Sequence, residues 1–362
     1  MQTLQTLKFV KKELPPFALG TISTLAGTIY KVSSDWSRAD FWGMVKSRSG
    51  AFRMNYTVAP GLYAVGDPTA LCDVFATANY KLSFDILRRE LKGMNAWVLV
   101  LDTKSINVWC AAGKGTFGTE ELIKRVSATG LDKVVSHRRL ILPQLGAVGV
   151  SASAVLKATG FRVSFGPVQA RDIPAYVAAG YKKTSEMAVI KFPMKDRMIL
   201  TPMEINPAMK KFPWFVGAVL LLFGLQPSGI LFRDALYGGL PFLLLGFLAI
   251  FAGAFLTPVL LPFVPFRSFA LKGLIMGILS MLAAMPLLGP VVRTEILLFA
   301  AAWLFFPAMT SYIALQFTGS TTFTGMTGVK KELKIGLPLY ITAAALSLVL
   351  LVVHKIREWG LV

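Results

Sequence analysis

Two regimes of hydrophobic patterning divide the chain near Pro213. Before it, short apolar runs alternate with segments whose apolar residues recur every three or four positions. After it, apolar stretches run for about twenty residues with little polar interruption. In the first regime, Leu71–Ala78 reads as a strand, and Tyr80–Leu91 as a helix with Phe84, Leu87 and Leu91 on one face. Ala96–Leu101 (AWVLVL) is apolar throughout and ends at Asp102, the pattern of a central parallel strand covered on both sides. Thr119–Val126 reads as a helix capped by Thr119, with Glu120 and Glu121 at the positive end of its dipole. Leu140–Leu142 and Phe161–Phe165 read as strands, Ser151–Thr159 as a helix closed by Gly160, and Asp172–Ala179 as another helix. The alternation predicts an α/β domain over 61–212 with an open, mostly parallel sheet, whose ligands bind beyond the carboxyl ends of the strands. Residues 1–60 show no clear period and are expected to pack on it as an N-terminal extension.

In the second regime, five apolar segments are expected to span a membrane: 214–232, 240–264, 269–288, 295–317 and 337–354. None has a polar face, and 150 residues cannot bury five all-apolar helices. Lys210, Lys211, Arg267, Lys272, Lys330, Lys331 and Lys334 fall on one side of such a bundle. Arg233, Arg293, Lys355 and Arg357 fall on the other. The excess predicts a multi-pass protein of the inner membrane, with the N-terminal domain cytoplasmic and the C-terminus outside. The spans are nearly free of charge, since Arg233/Asp234 and Arg293/Glu295 sit at their ends, which favours an anchor over a transporter.

Charge refines this picture. Residues 1–212 carry 29 Lys and Arg against 15 Asp and Glu, and the whole chain has a net charge of +19. That points to an anionic partner. No basic run or motif for nucleic acid is present, so membrane lipid is the expected one. The first residues, with Lys8, Lys11 and Lys12 ahead of the mildly apolar stretch 17–29, faintly resemble a signal peptide, but Thr21, Ser23, Thr24 and Thr28 interrupt it. With two cysteines, Cys72 and Cys110, and two histidines, His137 and His354, the chain cannot by itself ligate an iron–sulfur cluster or a structural zinc.

Chemistry is to be sought after Ala96–Leu101, in the stretch 102–118. Gly113, Gly115 and Gly118 match the GxGxxG of a dinucleotide site, which keeps open a membrane-associated oxidoreductase. The glycines start about a dozen residues after the strand, however, and not in its first turn. The other reading is a short helix from Asn107 to Lys114, with Asn107 as N-cap and Gly113 as stop. Cys110 then sits in the first turn, where the dipole favours a thiolate, with Lys114 adding to the effect. Ala111, Ala112 and Gly113 would let a large flat ligand approach, and Trp109 would pack beneath. A buried structural cysteine accounts for Cys110 equally well on these grounds.

The segment Asn107-Val108-Trp109-Cys110-Ala111-Ala112-Gly113-Lys114 resembles the signature of the HgcA family, the corrinoid proteins of the bacterial and archaeal mercury-methylating pair. Further stretches resemble the same family: PGLYAVG at 60–66, TANYKLSF at 77–84, LPQLGA at 142–147 and GPV at 166–168. The match covers most of the chain. The resemblance implies an α/β Rossmann-like corrinoid-binding domain followed by an all-α transmembrane domain of about five helices. It implies a base-off cobalamin with Cys110 as lower axial ligand to cobalt, held by a cap helix at 107–114. It further implies a methyltetrahydrofolate-type donor, Hg(II) as methyl acceptor, and a ferredoxin-like partner with two 4Fe–4S clusters, HgcB. The related corrinoid iron–sulfur protein shares the fold without this cysteine. Thr77, Asn79, Gln144, Gly146 and Gly166, at expected strand ends, are candidates for lining the corrin. Arg138 and Arg139 are weaker candidates, and Cys72 is expected to be a passive core thiol.

Overall fold

The computed structural model describes residues 14–288, 290–320 and 326–361. The leader-like lysines Lys8, Lys11 and Lys12 lie outside them. Two compact units emerge: one runs to Ser47 and resumes over Ala51–Ile190, the other comprises Arg48–Gly50 and Lys191 onward.

The first unit is built from β1 (Ala18–Thr24), β2 (Gly27–Val32), α1 (Arg38–Ser47), β3 (Gly61–Val65), β4 (Val74–Ala78), α2 (Lys81–Glu90) and β5 (Ala96–Leu101). There follow α3 (Val108–Gly113), α4 (Thr119–Ala128), α5 (Leu131–Val134), β6 (Arg139–Leu142), α6 (Ala152–Thr159), β7 (Arg162–Phe165) and α7 (Ile173–Ala178). The seven strands form one sheet in the order β1-β2-β3-β5-β4-β6-β7. Four neighbours, β5-β4-β6-β7, are parallel. β3 runs antiparallel to β5, and β1 pairs antiparallel with β2. The sheet is therefore mixed rather than mostly parallel.

The added strands come from segments the apolar pattern left unread. Stretch 17–29 is Thr- and Ile-rich with one face half-covered, which suits a sheet edge, and Gly27 (φ +114°) allows the tight turn of the hairpin. Expectation and structure also differ at the start of β4. Residues 71–73 form a turn in which the Cys72 amide donates to the Thr69 carbonyl (3.2 Å), with Leu71 in solvent.

Every side chain of β4 and β5 is buried, as their unbroken apolar runs require. Alternate residues feed two cores. Ala76, Trp97, Leu99 and Leu101 meet Ala111, Ala112, Phe117 and Leu122 on one face. Phe75, Val98 and Val100 meet Phe84, Leu87 and Ile173 on the other.

The second unit is helical. Its long helices are Pro202–Gly224, Phe232–Phe251, Phe269–Ala284, Ile296–Gln316 and Met326–Glu358. Phe232–Phe251 continues through a wide turn, Ala252–Leu256, to Val259. Among the described residues, three helices are long and apolar enough to cross a membrane: Phe232–Val259, Ile296–Gln316 and Thr327–Glu358. Phe269–Ala284 is apolar but shorter. Gly273 and Gly277 let this helix press on Ile296–Gln316, where an added Cβ would come within 2.8 Å of Ser311 Cα and Pro307 Cα respectively. Lys272, counted above among orienting loop charges, is in fact buried. Its ammonium donates to the carbonyls of Leu261 and Val264, and Arg197 Nε donates to that of Val259 (3.0 Å). Both cations satisfy carbonyls left open where the Phe232–Val259 helix ends.

Candidate functional site

The loops that follow β4, β5, β6 and β7 emerge at one end of the parallel half of the sheet, the carboxyl end. Two chain directions diverge there. From β4 the chain crosses by α2 to β5, and from β6 it crosses by α6 to β7 on the opposite side. Ligands of open sheets bind at such a divergence.

Asn79, the residue after β4, organises the loop after β5. Its buried Oδ1 accepts from Thr103 N (3.0 Å) and Ser105 N (3.1 Å). The single Thr103 hydroxyl proton is shared between this oxygen (2.9 Å) and the closer Ile106 carbonyl (2.7 Å). Lys104 and Ser105 adopt the left-handed region (φ +57° and +62°), a conformation the fixed amides around Asn79 and Asp102 hold in place. The Lys104 ammonium, bonded at 2.6 Å, holds the Asp102 carboxyl below the usual carboxylate range. On the other flank, the Asp102 amide donates to Glu121 Oε1 (2.8 Å), itself paired with Arg125.

This loop delivers the chain into α3. Asn107 is its N-cap: the side-chain Oδ1 accepts from Cys110 N at 2.9 Å. Val108, Ala111 and Ala112 face the core. Trp109 does not pack beneath the helix; it is exposed, because Ala111 and Ala112 already fill the inward side. Cys110 is half-buried, and Gly113 and Lys114 are exposed. Cys110 and Lys114, four apart, share one flank of the helix. A Cβ at Gly113 would meet nothing within 4 Å, so the outer surface of α3 is low and open.

The loop after β6 closes the other side. Its turn Gln144–Gly146 lies against α3. Gly146 leaves no room for a side chain, since a Cβ there would stand 2.5 Å from Phe117 Cε1. Gly149 is similarly closed in by the Phe117 carbonyl and the Ala112 backbone. Gln144 is engaged by Lys183, whose ammonium donates to Oε1. Gly166, after β7, donates to the Leu142 carbonyl (2.8 Å).

The candidates thus separate. Asn107, Trp109, Cys110, Gly113 and Lys114 make up the accessible surface of α3, with the Gln144–Gly146 turn beside it. Asn79 acts on the loop beneath, Thr77 is buried in β4 opposite Val100, and Val108, Ala111 and Ala112 are core. Arg138 and Arg139 stand at the amino end of the sheet instead. Arg139 pairs there with Asp73 (2.6 Å) and lies over the Tyr181 ring. Cys72 packs against the core, its sulfur accepting from Thr69 N (3.3 Å). The GxGxxG glycines split between two tasks. Gly113 ends α3, while Gly115 (φ +80°) and Gly118 form the close turn into α4, so a helix separates them from β5. Gly118, not Thr119, is the N-cap of α4, and Thr119 Oγ1 accepts from Ser151 N (2.9 Å). Thr103, Phe117, Glu121 and Gly149 escaped the sequence reading. Glycine spacing in 146–149 was a usable signal, but the partners of Thr103 and Glu121 lie 24 and 19 residues away.

Residues 52–177, which carry β3–β7, α3 and the loops around it, match the family model of the CO dehydrogenase/acetyl-CoA synthase delta subunit. The chain is 30% identical over 122 residues to the acetyl-CoA decarbonylase/synthase complex subunit gamma of Methanopyrus kandleri, covering 33% of this chain and 26% of that one. It is 35% identical over 97 residues to the same subunit of Methanocaldococcus jannaschii, covering 26% and 20%. It is 30% identical over 108 residues to the corrinoid/iron-sulfur protein large subunit of Moorella thermoacetica, covering 29% and 24%. The α/β unit is a distant relative of corrinoid proteins, as its resemblance to the HgcA family implies. The chain spans about a quarter of the length of these curated relatives, and its helical half falls outside the matched residues.

Proposed function

We propose that this chain is a membrane-anchored, corrinoid-dependent methyltransferase that passes a methyl group from cobalt to Hg(II), giving methylmercury. The observation that carries the reading is the half-buried Cys110 on an open helix at the carboxyl end of β5, inside the segment similar to corrinoid proteins. The residues suit the group: the outer side of α3 offers a sulfur beside an uncovered glycine, so a broad flat ring meets no side chain at Gly113.

When bound, a base-off corrinoid supplies a metal that can take up and give away a methyl group. The chain's contribution is a sulfur donor, a rigid seat and a neighbouring charge. Asn107 fixes the Cys110 amide, and the Asn79–Thr103 bonds fix the loop that feeds α3. Lys114, four residues on, places a positive charge on the same flank of the helix as the sulfur. A thiolate is a strong electron donor, which suits delivery of methyl to an electrophile such as Hg(II). Trp109, Gly113, Gln144 and Gly146 are the proposed neighbours of the ring, with Thr77, Ala111, Ala112 and Gly166 supporting from behind.

In this reading, 61–212 is the cytoplasmic corrinoid-binding, Rossmann-like domain, and 213–362 is the membrane domain. Pro202–Gly224 and Phe269–Ala284 join the three long apolar helices as the fourth and fifth spans. A methyltetrahydrofolate-type donor loads the methyl group. A two-cluster ferredoxin, HgcB, supplies low-potential electrons, and the basic α/β unit assists its docking. The test is to replace Cys110 with alanine or histidine in the full chain, reconstitute with cobalamin, and record the visible spectrum and the rate of mercury methylation. The ligand assignment predicts that both change; an unaltered spectrum with an unaltered rate refutes it.

A further inference from the structure

Helix α1 is inside out. Its buried stripe is Asp40, Gly43 and Ser47, whereas Phe41, Trp42 and Val45 face solvent, Trp42 at 57% exposure. An ordinary surface helix does the reverse. The inward side is fixed by charge. Asp40 Oδ1 accepts from Lys81 Nζ (2.9 Å), and Arg88 Nη2 lies 2.9 Å from Asp40 Oδ2 as an ion pair, off the line of a hydrogen bond. Gly43 admits the Tyr56 ring, whose hydroxyl donates to Asp85 (3.2 Å). These ion pairs and the Tyr56 contact keep α1 from rolling its aromatic side inward. The next turn, Ala51–Met54, lies against α1 and adds exposed Phe52 and Met54. Arg38 and Lys46 of the same helix are exposed, and Arg53 in the next turn is half-buried.

We propose that this face docks on the anionic headgroup surface of the bilayer that holds the helical unit. The inference rests on the membrane reading given above. Three observations commit the patch to lipid. Its composition, Trp and Phe beside Arg and Lys, is that of an interfacial anchor. The sole acidic residue of α1, Asp40, is turned inward, so the exposed rim is basic and complements anionic lipid. Finally, the residues directly after α1, Arg48–Gly50, belong to the helical unit, where the Ser49 carbonyl accepts from Asn206 of Pro202–Gly224, one turn ahead of Lys210 and Lys211.

The experiment is hydrogen exchange of the full chain, reconstituted into vesicles of phosphatidylcholine alone or mixed with phosphatidylglycerol. Exchange in 38–54 is expected to slow by about tenfold in the anionic vesicles, the scale set by a few basic side chains near such a surface, and to recover at high salt. The variant Phe41→Ser/Trp42→Ser, which touches only exposed positions, is expected to lose that protection while β5 keeps its own. Equal exchange in both vesicle types overturns the proposal. So does protection that arises only on adding an acidic ferredoxin, which assigns the patch to a protein. Alkaline carbonate extraction separates the two readings. A chain that stays in the pellet but shows no lipid-dependent protection refutes the docking face alone; a chain released to the supernatant refutes the membrane reading itself.

Discussion

Asn79→Ala tests whether one buried amide holds the cysteine helix in place. The substitution removes the acceptor of Thr103 N and Ser105 N and one of the two acceptors open to the Thr103 hydroxyl, which keeps the Ile106 carbonyl. Thr103 is fully buried, so its amide cannot turn to water. At about 1 kcal/mol per bond, with the stranded Thr103 amide at the upper end, the loss comes to about 3 kcal/mol. That is about a hundredfold in the opening equilibrium of the loop. The left-handed Ser105, held by one of these bonds, would relax toward ordinary geometry with its neighbour Lys104, and α3 with them. Hydrogen exchange read by mass spectrometry across 102–118 measures this directly, with the β1–β2 hairpin as internal reference. Asn79→Asp keeps the acceptor but sets a carboxylate beside Asp102, so its effect should shrink at low pH, where the pair can share a proton. If Asn79→Ala leaves exchange in 102–118 within twofold of the parent, the claim that this residue positions Cys110 is wrong.

Other expectations follow from the same contacts. Burial opposes ionisation of Asp40, but Lys81, the Ser37 amide and Arg88 outweigh it and hold the carboxyl far below the usual range. A depressed carboxylate stabilises fully above its unfolded pKa and loses that contribution as pH falls, so Asp40→Asn should cost about 3 kcal/mol at neutral pH and flatten the acid limb of a stability–pH curve followed by tryptophan fluorescence. Gly146→Val drives a side chain into Phe117, and the overpacking should cost about 2 kcal/mol and lower cobalamin retention measured by equilibrium dialysis. Lys272→Leu strands the Leu261 and Val264 carbonyls and should cost about 2 kcal/mol, seen as a lower melting temperature in detergent that Lys272→Arg largely restores.

Sequence alone determined the elements whose causes are local. The run AWVLVL could only be a strand buried on both faces, and β5 spans Ala96–Leu101 with every residue covered. Asn107 and Ser151 announced helix starts, and Gly160 a helix end, because caps are short-range chemistry read within four residues. The apolar lengths after Pro213 gave a helical region for the same reason, although among the described residues three helices reach spanning length and hydropathy. The motif at 107–114 pointed to corrinoid chemistry by resemblance, and relatives of residues 52–177 agree with that class.

Tertiary structure decided what depends on distant partners. Which strands lie beside β5 depends on chain crossings that leave no local mark, so the antiparallel β3 and the β1–β2 edge appeared only in the fold. The roles of Asn79 and Thr103 depend on contact between residues 24 apart. The outward face of α1 depends on Asp40 meeting Lys81 and Arg88 more than forty positions later. Burial of Lys272 reversed its reading as a loop charge, because open carbonyls at a helix end offered it more than water did. A period in the sequence names the side of a helix that is apolar; only the packed structure says which side is covered.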